Sequence, residues 1–325
     1  MSQLTTYELL DKSGASSPTR NWRKFFNLHS RRMLLELINF LFNHDWIYWI
    51  VGRANKRIGL IESVFMVYPA TEAYALHYFY PHMIRRHPWW PGPSGLLWQD
   101  GKLTVMFAIS AMNGQLVDPE NIENLRQVAE RMEKIRNLLS AQRKTFAGIL
   151  PGVLFRNRII RQAPEAELTA EVVVQAVDTV KAQESLDRDV PIIVLGGKGF
   201  IGRRLIRLLG RQNVYCIDVV DRKDSSDWPN QLCGKPAIVI NVSLNQAIKD
   251  YLDVIWPGTV VINEVYPEPT PEVLERLSKQ GSSCYHVVGI RALALPSFPS
   301  AYAGAIPCCA AWPSPDKEVV LQKLN

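Results

Sequence analysis

The spacing of apolar residues predicts a mixture of helices and strands in the first half of the chain. Apolar positions recur at helical intervals in three segments, and short β-forming runs lie between them. The predicted helices are residues 22–51, 119–143 and 166–184, and the predicted strands are residues 59–68 and 103–109. Asp118 and Pro119 are residue types that begin helices, whereas the proline-rich run at 88–93 predicts irregular chain.

After Pro191 the pattern changes to short Val/Ile runs that alternate with helical stretches, which is typical of a parallel α/β sheet. The predicted strands are residues 192–195, 214–217, 237–242, 259–262 and 285–288. The fold class is therefore α/β. We expect a flexible N-terminal arm (1–20), a smaller α+β substrate domain (21–165) and a Rossmann-like parallel-sheet domain (166–325).

Composition and charge narrow the classes of protein and partner. Of the 325 residues 47% are hydrophobic and 21% charged, which excludes a disordered chain and a small disulfide scaffold. The net charge of +6 suits an anionic small ligand or a membrane surface. Without a dense basic stripe, we predict no nucleic-acid partner. Residues 33–51 are apolar but interrupted by polar groups, which predicts an amphipathic helix on a core or in peripheral contact with a bilayer.

The cysteine pattern indicates a reducing compartment. The chain has five cysteines, an odd number, and no C-x-x-C pair. This argues against a secreted disulfide framework and against structural zinc. The first thirty residues show no apolar signal-peptide core, so we expect a cytoplasmic protein. His77, His82 and His87 recur every five residues, an interval that suits neither a helix face nor a strand face. We therefore predict no metal site.

The sequence Gly197-Lys-Gly199-Phe-Ile-Gly202 follows an apolar strand and begins a predicted helix over residues 200–211. This G-x-G-x-x-G spacing is that of dinucleotide-binding turns. Its glycines permit a tight turn, close approach of the backbone to a pyrophosphate, and close packing of helix on sheet. We predict that Gly197, Gly199, Phe200, Ile201 and Gly202 bind the phosphates of NADH or NADPH. The alternative is a glycine-rich turn in a nucleotide-free domain.

Other polar residues follow the neighbouring strands. Asp218 ends the next strand, where a carboxylate binds the ribose hydroxyls, so NAD(H) is slightly preferred over NADP(H). Arg222 and Lys223 could reverse this preference by neutralising a 2′-phosphate. Asn241, Ser243 and Asn263 also end strands and are predicted to face the nicotinamide, although Asn and Ser are common at any strand-to-loop transition.

The pair Cys308-Cys309 supplies a candidate nucleophile. A thiolate is a covalent catalyst where a helix N-terminus or a cation stabilises it, and Pro307 could begin such a helix. A free cysteine is more often buried and inert. The sequence does not decide between Cys308 and Cys309.

Several of these segments resemble one known family. They are Gly59-Leu-Ile-Glu-Ser-Val-Phe65, Leu125-Arg-Gln-Val128, the glycine-rich turn and the strand at 261–267 with its Tyr-Pro turn. The chain is similar here to the cyanobacterial long-chain acyl-(acyl-carrier-protein) reductases, which form fatty aldehydes. The resemblance places Cys309 on that family's acyl-accepting thiol. In contrast to the family, this chain continues as Ala311-Trp312-Pro313, without the glutamate and the continuing helix.

The resemblance implies an NAD(P)H-dependent reductase that converts an acyl thioester to an aldehyde through an acyl-enzyme on Cys309. Acyl-carrier protein would be a partner, Glu62 would orient either a contact between the domains or the substrate, and a homo-oligomer is compatible with the sequence. His286 is a candidate for proton transfer. Two alternatives stay open: a non-covalent dehydrogenase of the shikimate or methylene-tetrahydrofolate dehydrogenase type, and a non-catalytic nucleotide-sensing protein bound to membranes.

Overall fold

The computed structural model describes residues 18–69, 72–210, 212–219, 228–244, 246–298, 304–314 and 317–325, and it leaves the side chains of residues 18–27, 73, 74 and 77 undescribed. Most of the predicted N-terminal arm lies outside this description, but its last three residues belong to a helix. The chain forms two compact units. The first extends to Arg161, apart from Trp98–Asp100, and the second takes Trp98–Asp100 and Gln162–Asn325.

Helices and strands alternate through both units. The helices are α1 (Pro18–Phe42), α2 (Asp45–Ile58), α3 (Glu72–Tyr78), α4 (Pro81–Arg86), α5 (Asn113–Val117), α6 (Ile122–Leu139), α7 (Leu150–Arg156), α8 (Pro164–Gln183), α9 (Gly202–Leu209), α10 (Ala247–Tyr251) and α11 (Pro271–Lys279). The strands are β1 (Ile61–Val67), β2 (Gly92–Gln99), β3 (Lys102–Ala108), β4 (Arg143–Phe146), β5 (Ile192–Leu195), β6 (Val214–Ile217), β7 (Ala237–Asn241), β8 (Thr259–Asn263), β9 (Ser283–Arg291), β10 (Leu293–Leu295), β11 (Ala305–Ile306) and β12 (Val319–Lys323).

In the first unit, strands β2, β3, β1 and β4 lie side by side in that order. Strand β1 is parallel to both β3 and β4, and its apolar residues are almost all buried. Parallel neighbours need crossover connections, and α6 lies between β3 and β4 in the chain. The prediction of an α+β first domain is therefore wrong in detail: this unit is also built on parallel strands, and the α/β class is confirmed.

The second unit contains a larger sheet in the order β6-β5-β7-β8-β9, with every neighbouring pair parallel. Strand β9 also pairs antiparallel with β11 and β12. Strands β5, β7 and β8 are buried along their full length, as expected for a parallel sheet covered on both faces. Strands β5 and β6 have the predicted bounds.

Three elements of the first unit differ most from the sequence prediction. The helix predicted over 22–51 is two helices, and Asn43 between them donates to the Pro91 carbonyl at 3.0 Å and accepts from the Tyr48 hydroxyl at 2.8 Å. Helix α6 ends at Leu139, and β4 follows it where the prediction extends the helix to residue 143. The irregular run predicted to residue 93 ends earlier, because Gly92 and Pro93 already lie in β2.

Candidate functional site

The carboxyl ends of the parallel strands form the candidate site of the second unit. Strand β5 lies between β6 and β7, so the chain leaves β5 towards one side and later returns to its other side. In open α/β sheets ligands bind at such a switch point, in the crevice beyond the strand ends. The glycine-rich turn follows β5, and Ser243 follows β7.

The glycines of the turn are required by close backbone packing. A Cβ on Gly202 would lie 2.1 Å from the Gly196 carbonyl oxygen, and one on Gly197 would lie 2.4 Å from the Cys216 sulfur. The Gly199 amide donates to the Gly196 carbonyl at 2.8 Å, which closes the turn. Gly196 itself has φ +85°, and a Cβ there would lie 2.6 Å from Cβ of Ser243. The turn therefore packs against the end of β7.

Helix α9 begins directly after this turn. Phe200 and Ile201 directly precede the helix, and the Arg204 guanidinium lies 4.2 Å from the centroid of the Phe200 ring. Arg204 also donates to the Phe200 carbonyl at 2.7 Å and to Glu167 on α8 at 2.8 Å. These contacts hold the start of the helix in place. The helix is shorter than the predicted 200–211.

Asp218 follows β6 at the same edge of the sheet and is half-buried. Its carboxylate lies 3.5 Å from Nζ of Lys198, the residue between the first two glycines of the turn. The pair brings a carboxylate and an ammonium group together beside the turn. Arg222 and Lys223, the residues that could reverse the cofactor preference, lie outside the described residues.

A buried row of polar side chains crosses the ends of three strands. Asn241 on β7 donates to Asn263 on β8 at 2.9 Å, and the Asn263 amide nitrogen lies 3.1 Å from Nδ1 of His286 on β9. The Asn241 oxygen accepts from the Ser243 amide at 3.2 Å, which connects the row to the loop after β7. The side-chain amides of Asn241 and Asn263 are thus used in hydrogen bonds to neighbouring strands. Ser243 instead lies against Gly196 of the glycine-rich turn.

His286 is buried at the end of this row. Its Nδ1 also lies 3.0 Å from the Asn263 carbonyl oxygen. Burial lowers the pKa of His286, and Glu268 and the Asn263 carbonyl oppose that effect. The imidazole is therefore neutral at pH 7, and a proton on Nδ1 would be bonded to a backbone oxygen.

The strand pairing brings the two cysteines to this edge. His286 pairs with both Asn263 on β8 and Gln322 on β12, whereas Ile290 pairs with Ile306 on β11 and also with β12. Strand β11 therefore lies on the same side of β9 as β8, beyond the end of β8. The segment that follows β11 begins with Pro307 and contains both cysteines.

The predicted helix after Pro307 is only a three-residue 3-10 turn, Cys308–Ala310. A short helix therefore does begin after Pro307, but a helix of this length supplies no dipole of the expected kind. Cys308 is buried, and burial together with the nearby Glu264 raises the pKa of its thiol well above the usual range. Cys309 keeps partial exposure. Only Cys309 combines the expected position with access from solvent.

Glu264 is the site residue that sequence analysis missed. It follows β8 directly, and its amide donates to the Asn241 carbonyl at 3.1 Å. Although some of its surface is exposed, desolvation by the surrounding atoms raises the pKa of its carboxyl to about 8. At neutral pH Glu264 therefore holds a proton near Cys308. Its only sequence signal is its place at a strand end.

Glu62 belongs to the first unit. It lies on β1, and its carboxylate is 3.5 Å from Nε of Arg143 on the parallel strand β4. This local ion pair gives Glu62 a role within its own sheet. Its predicted role in orienting the substrate stays a prediction.

Comparison of the sequence with protein-family models and with curated proteins finds no match. Among the described residues, no three His, Cys, Asp or Glu side chains are grouped so that they could hold a metal ion. Over the same part of the chain, no helix is both long and apolar enough to cross a bilayer.

Proposed function

We propose that the chain is an NAD(P)H-dependent reductase that converts acyl thioesters to aldehydes, with Cys309 as the acyl-accepting thiol. One observation carries the proposal: the glycine-rich turn after β5 and the segment with Cys309 after β11 are both at the carboxyl edge of one parallel sheet. The parallel core of the sheet is consistent with a Rossmann-like domain, and the resemblance to acyl-carrier-protein reductases supports the same chemistry.

The chain's own residues fit a bound dinucleotide. Gly197, Gly199 and Gly202 give the turn a close-packed backbone, and the start of α9 favours the negative charge of a diphosphate. Asp218 would accept hydrogen bonds from ribose hydroxyls, and Lys198 would lie beside it. When bound, the reduced nicotinamide supplies a hydride.

Cys309 would attack the carbonyl carbon of the thioester. A bond forms between its sulfur and the acyl carbon, the bond to the carrier sulfur breaks, and the carrier leaves as a thiol after gaining a proton. Glu264, protonated at neutral pH, lies close enough to Cys308 to raise the pKa of its thiol and is the candidate source of that proton. The acyl carbon would then accept the hydride, the bond between it and the Cys309 sulfur would break, and a proton taken up by that sulfur would restore the thiol as the aldehyde leaves.

The test compares two adjacent cysteines. With palmitoyl-coenzyme A and NADPH or NADH, Cys309→Ser should lower aldehyde formation at least ~100-fold, since the covalent step is lost. Cys308→Ser is the matched control and should retain most of the activity, because its thiol is buried and protonated. Thermal shifts with NADH and NADPH should be equal in the two variants. Undiminished turnover by Cys309→Ser would refute the covalent route.

Glu264 supports a second candidate, a dehydrogenase that transfers hydride without an acyl-enzyme. A carboxyl with a pKa near 8 is suited to exchange protons with a substrate at physiological pH. In that case Glu264→Gln should abolish turnover of a hydroxy or carbonyl substrate while Cys309→Ser has little effect. The two functions therefore differ in which substitution removes activity.

A further inference from the structure

Helix α1 of the first unit has an unusual distribution of apolar residues. Its apolar side chains at intervals of three, four and seven residues form one exposed face. These residues are Met33, Leu34, Leu37, Phe40 and Leu41. Phe40 is 76% exposed, whereas the inward side of the same helix contains Arg32, Leu35 and Asn39. The apolar side of α1 therefore faces solvent rather than a core.

Helix α2 extends the exposed surface and adds positive charge. Its first two turns expose Trp46, Trp49 and Ile50, and Trp46 is 63% exposed. On the same side, its last turns expose Arg53, Lys56 and Arg57. The opposite side, with Tyr48, Gly52 and Asn55, is buried against the first unit. We call the exposed residues of α1 and α2 named here the N-terminal face.

The basic part of the N-terminal face borders a recess of about 580 Å³. Its walls include Trp49, Arg53, Lys56 and Lys134. Arg53 lies 4.8 Å from the centroid of the Trp49 ring. Lys134 is paired with Asp45 at 2.7 Å, but in the described part of the chain Arg53, Lys56 and Arg57 have no acidic group within 4.0 Å. The recess thus has unneutralised positive charge beside exposed tryptophan.

We propose that the N-terminal face docks on the surface of an anionic phospholipid bilayer, with a lipid phosphate in the recess beside Arg53 and Lys56. Exposed tryptophan and leucine next to basic residues are the composition of helices that lie in the membrane interface. Charge complementarity selects this occupant, because a second copy of the same face would bring like charges towards each other. Docking of this kind does not depend on the reaction of the second unit.

The network that holds the two helices supports a rigid docking face. Asn39 donates to the Pro93 carbonyl at 3.2 Å, and Asn43 donates to the Pro91 carbonyl at 3.0 Å. Asn55 donates to the carbonyls of Leu139 and Ser140, each at 3.1 Å. These hydrogen bonds hold the inner sides of α1 and α2 against the unit. The apolar sides of the two helices are therefore turned towards solvent.

The test is co-sedimentation of the full chain with vesicles. Wild type should bind equimolar phosphatidylcholine–phosphatidylglycerol vesicles and bind phosphatidylcholine alone roughly tenfold or more weakly, with the difference lost at high salt. Phe40→Ser with Trp46→Ser should abolish binding, since apolar insertion is removed. Arg53→Gln with Lys56→Gln should weaken binding to the anionic vesicles roughly tenfold or more and leave the weak binding to phosphatidylcholine unchanged.

Matched controls lie on the second unit. Leu293→Ser removes a leucine that is 72% exposed, and Lys235→Gln with Lys249→Gln removes two exposed lysines. Both variants should bind like wild type, and circular dichroism should show all variants folded. Absence of wild-type binding, or equal loss in the controls, would overturn the proposal. It would also be overturned if sedimentation velocity without lipid showed a dimer that Phe40→Ser with Trp46→Ser makes monomeric.

Discussion

At the scale of single residues, tertiary surroundings change the chemistry of Glu264 and of Cys308. Neither residue stands out in the sequence. A glutamate at a strand end is usually solvated, and a cysteine in a loop is usually inert. In the fold, the same desolvation keeps the Glu264 carboxyl protonated and the Cys308 thiol neutral. Cys309, one residue further, keeps access to solvent. The adjacent cysteines therefore differ in exposure, and burial together with Glu264 raises the pKa of the Cys308 thiol.

The raised pKa of Glu264 predicts a specific pH dependence of stability. The unfolded chain loses this proton near pH 4.5, whereas the folded chain holds it to about pH 8. Between these values the folded state binds more protons, so the free energy of unfolding is largest at the acid end and falls as pH rises. Glu264→Gln should remove this decline and stabilise the protein at pH 8 by roughly 1–4 kcal/mol.

Urea unfolding at pH 5 and pH 8 measures the effect. Glu272→Gln, a change at an exposed residue of α11, serves as the control and should keep the wild-type pH dependence. The assignment fails if wild type and Glu264→Gln lose the same stability between the two pH values.

At the scale of elements, the local sequence pattern was sufficient to predict an element where burial and hydrogen bonding agree with that pattern. The strands at 192–195 and 214–217 are bounded apolar runs in a parallel sheet, and the structure has them at those positions. Strand β4, Arg143-Lys-Thr-Phe146, has no such pattern, because its strand conformation depends on pairing with β1 far away in the chain. Glu264 was missed for the same kind of reason, since its burial comes from distant segments.

The glycine-rich turn provides a prediction at this scale. Gly202→Ala should destabilise the second unit and abolish the thermal shift with NADH or NADPH, because the new Cβ would lie 2.1 Å from a backbone oxygen. Gly114→Ala is the matched control, since a Cβ there meets no atom within 4 Å. Gly114→Ala should leave both the melting temperature and the cofactor shift unchanged or slightly higher. A normal thermal shift of Gly202→Ala with NADH or NADPH would show that the turn is not part of the binding site.

At the scale of the whole molecule, sequence analysis predicted the α/β class and the parallel sheet of the second unit. It did not predict parallel strands in the first unit, where aromatic residues and prolines mask the pattern. The sequence also does not show whether the apolar side of α1 faces a core or solvent, because periodicity identifies an apolar face but not what covers it. The two proposals belong to different units: thioester reduction to the second and membrane docking to the first.

The most direct measurement is intact-protein mass spectrometry after incubation with palmitoyl-coenzyme A in the absence of NADH and NADPH. Without the reductant an acyl-enzyme cannot proceed to aldehyde, so wild type and Cys308→Ser should gain one palmitoyl group that hydroxylamine removes. Peptide mapping should locate it on Cys309, and Cys309→Ser should gain none. An unmodified wild-type protein that still forms aldehyde when NADPH is added, or a palmitoyl group on another residue in the productive enzyme, would contradict the account.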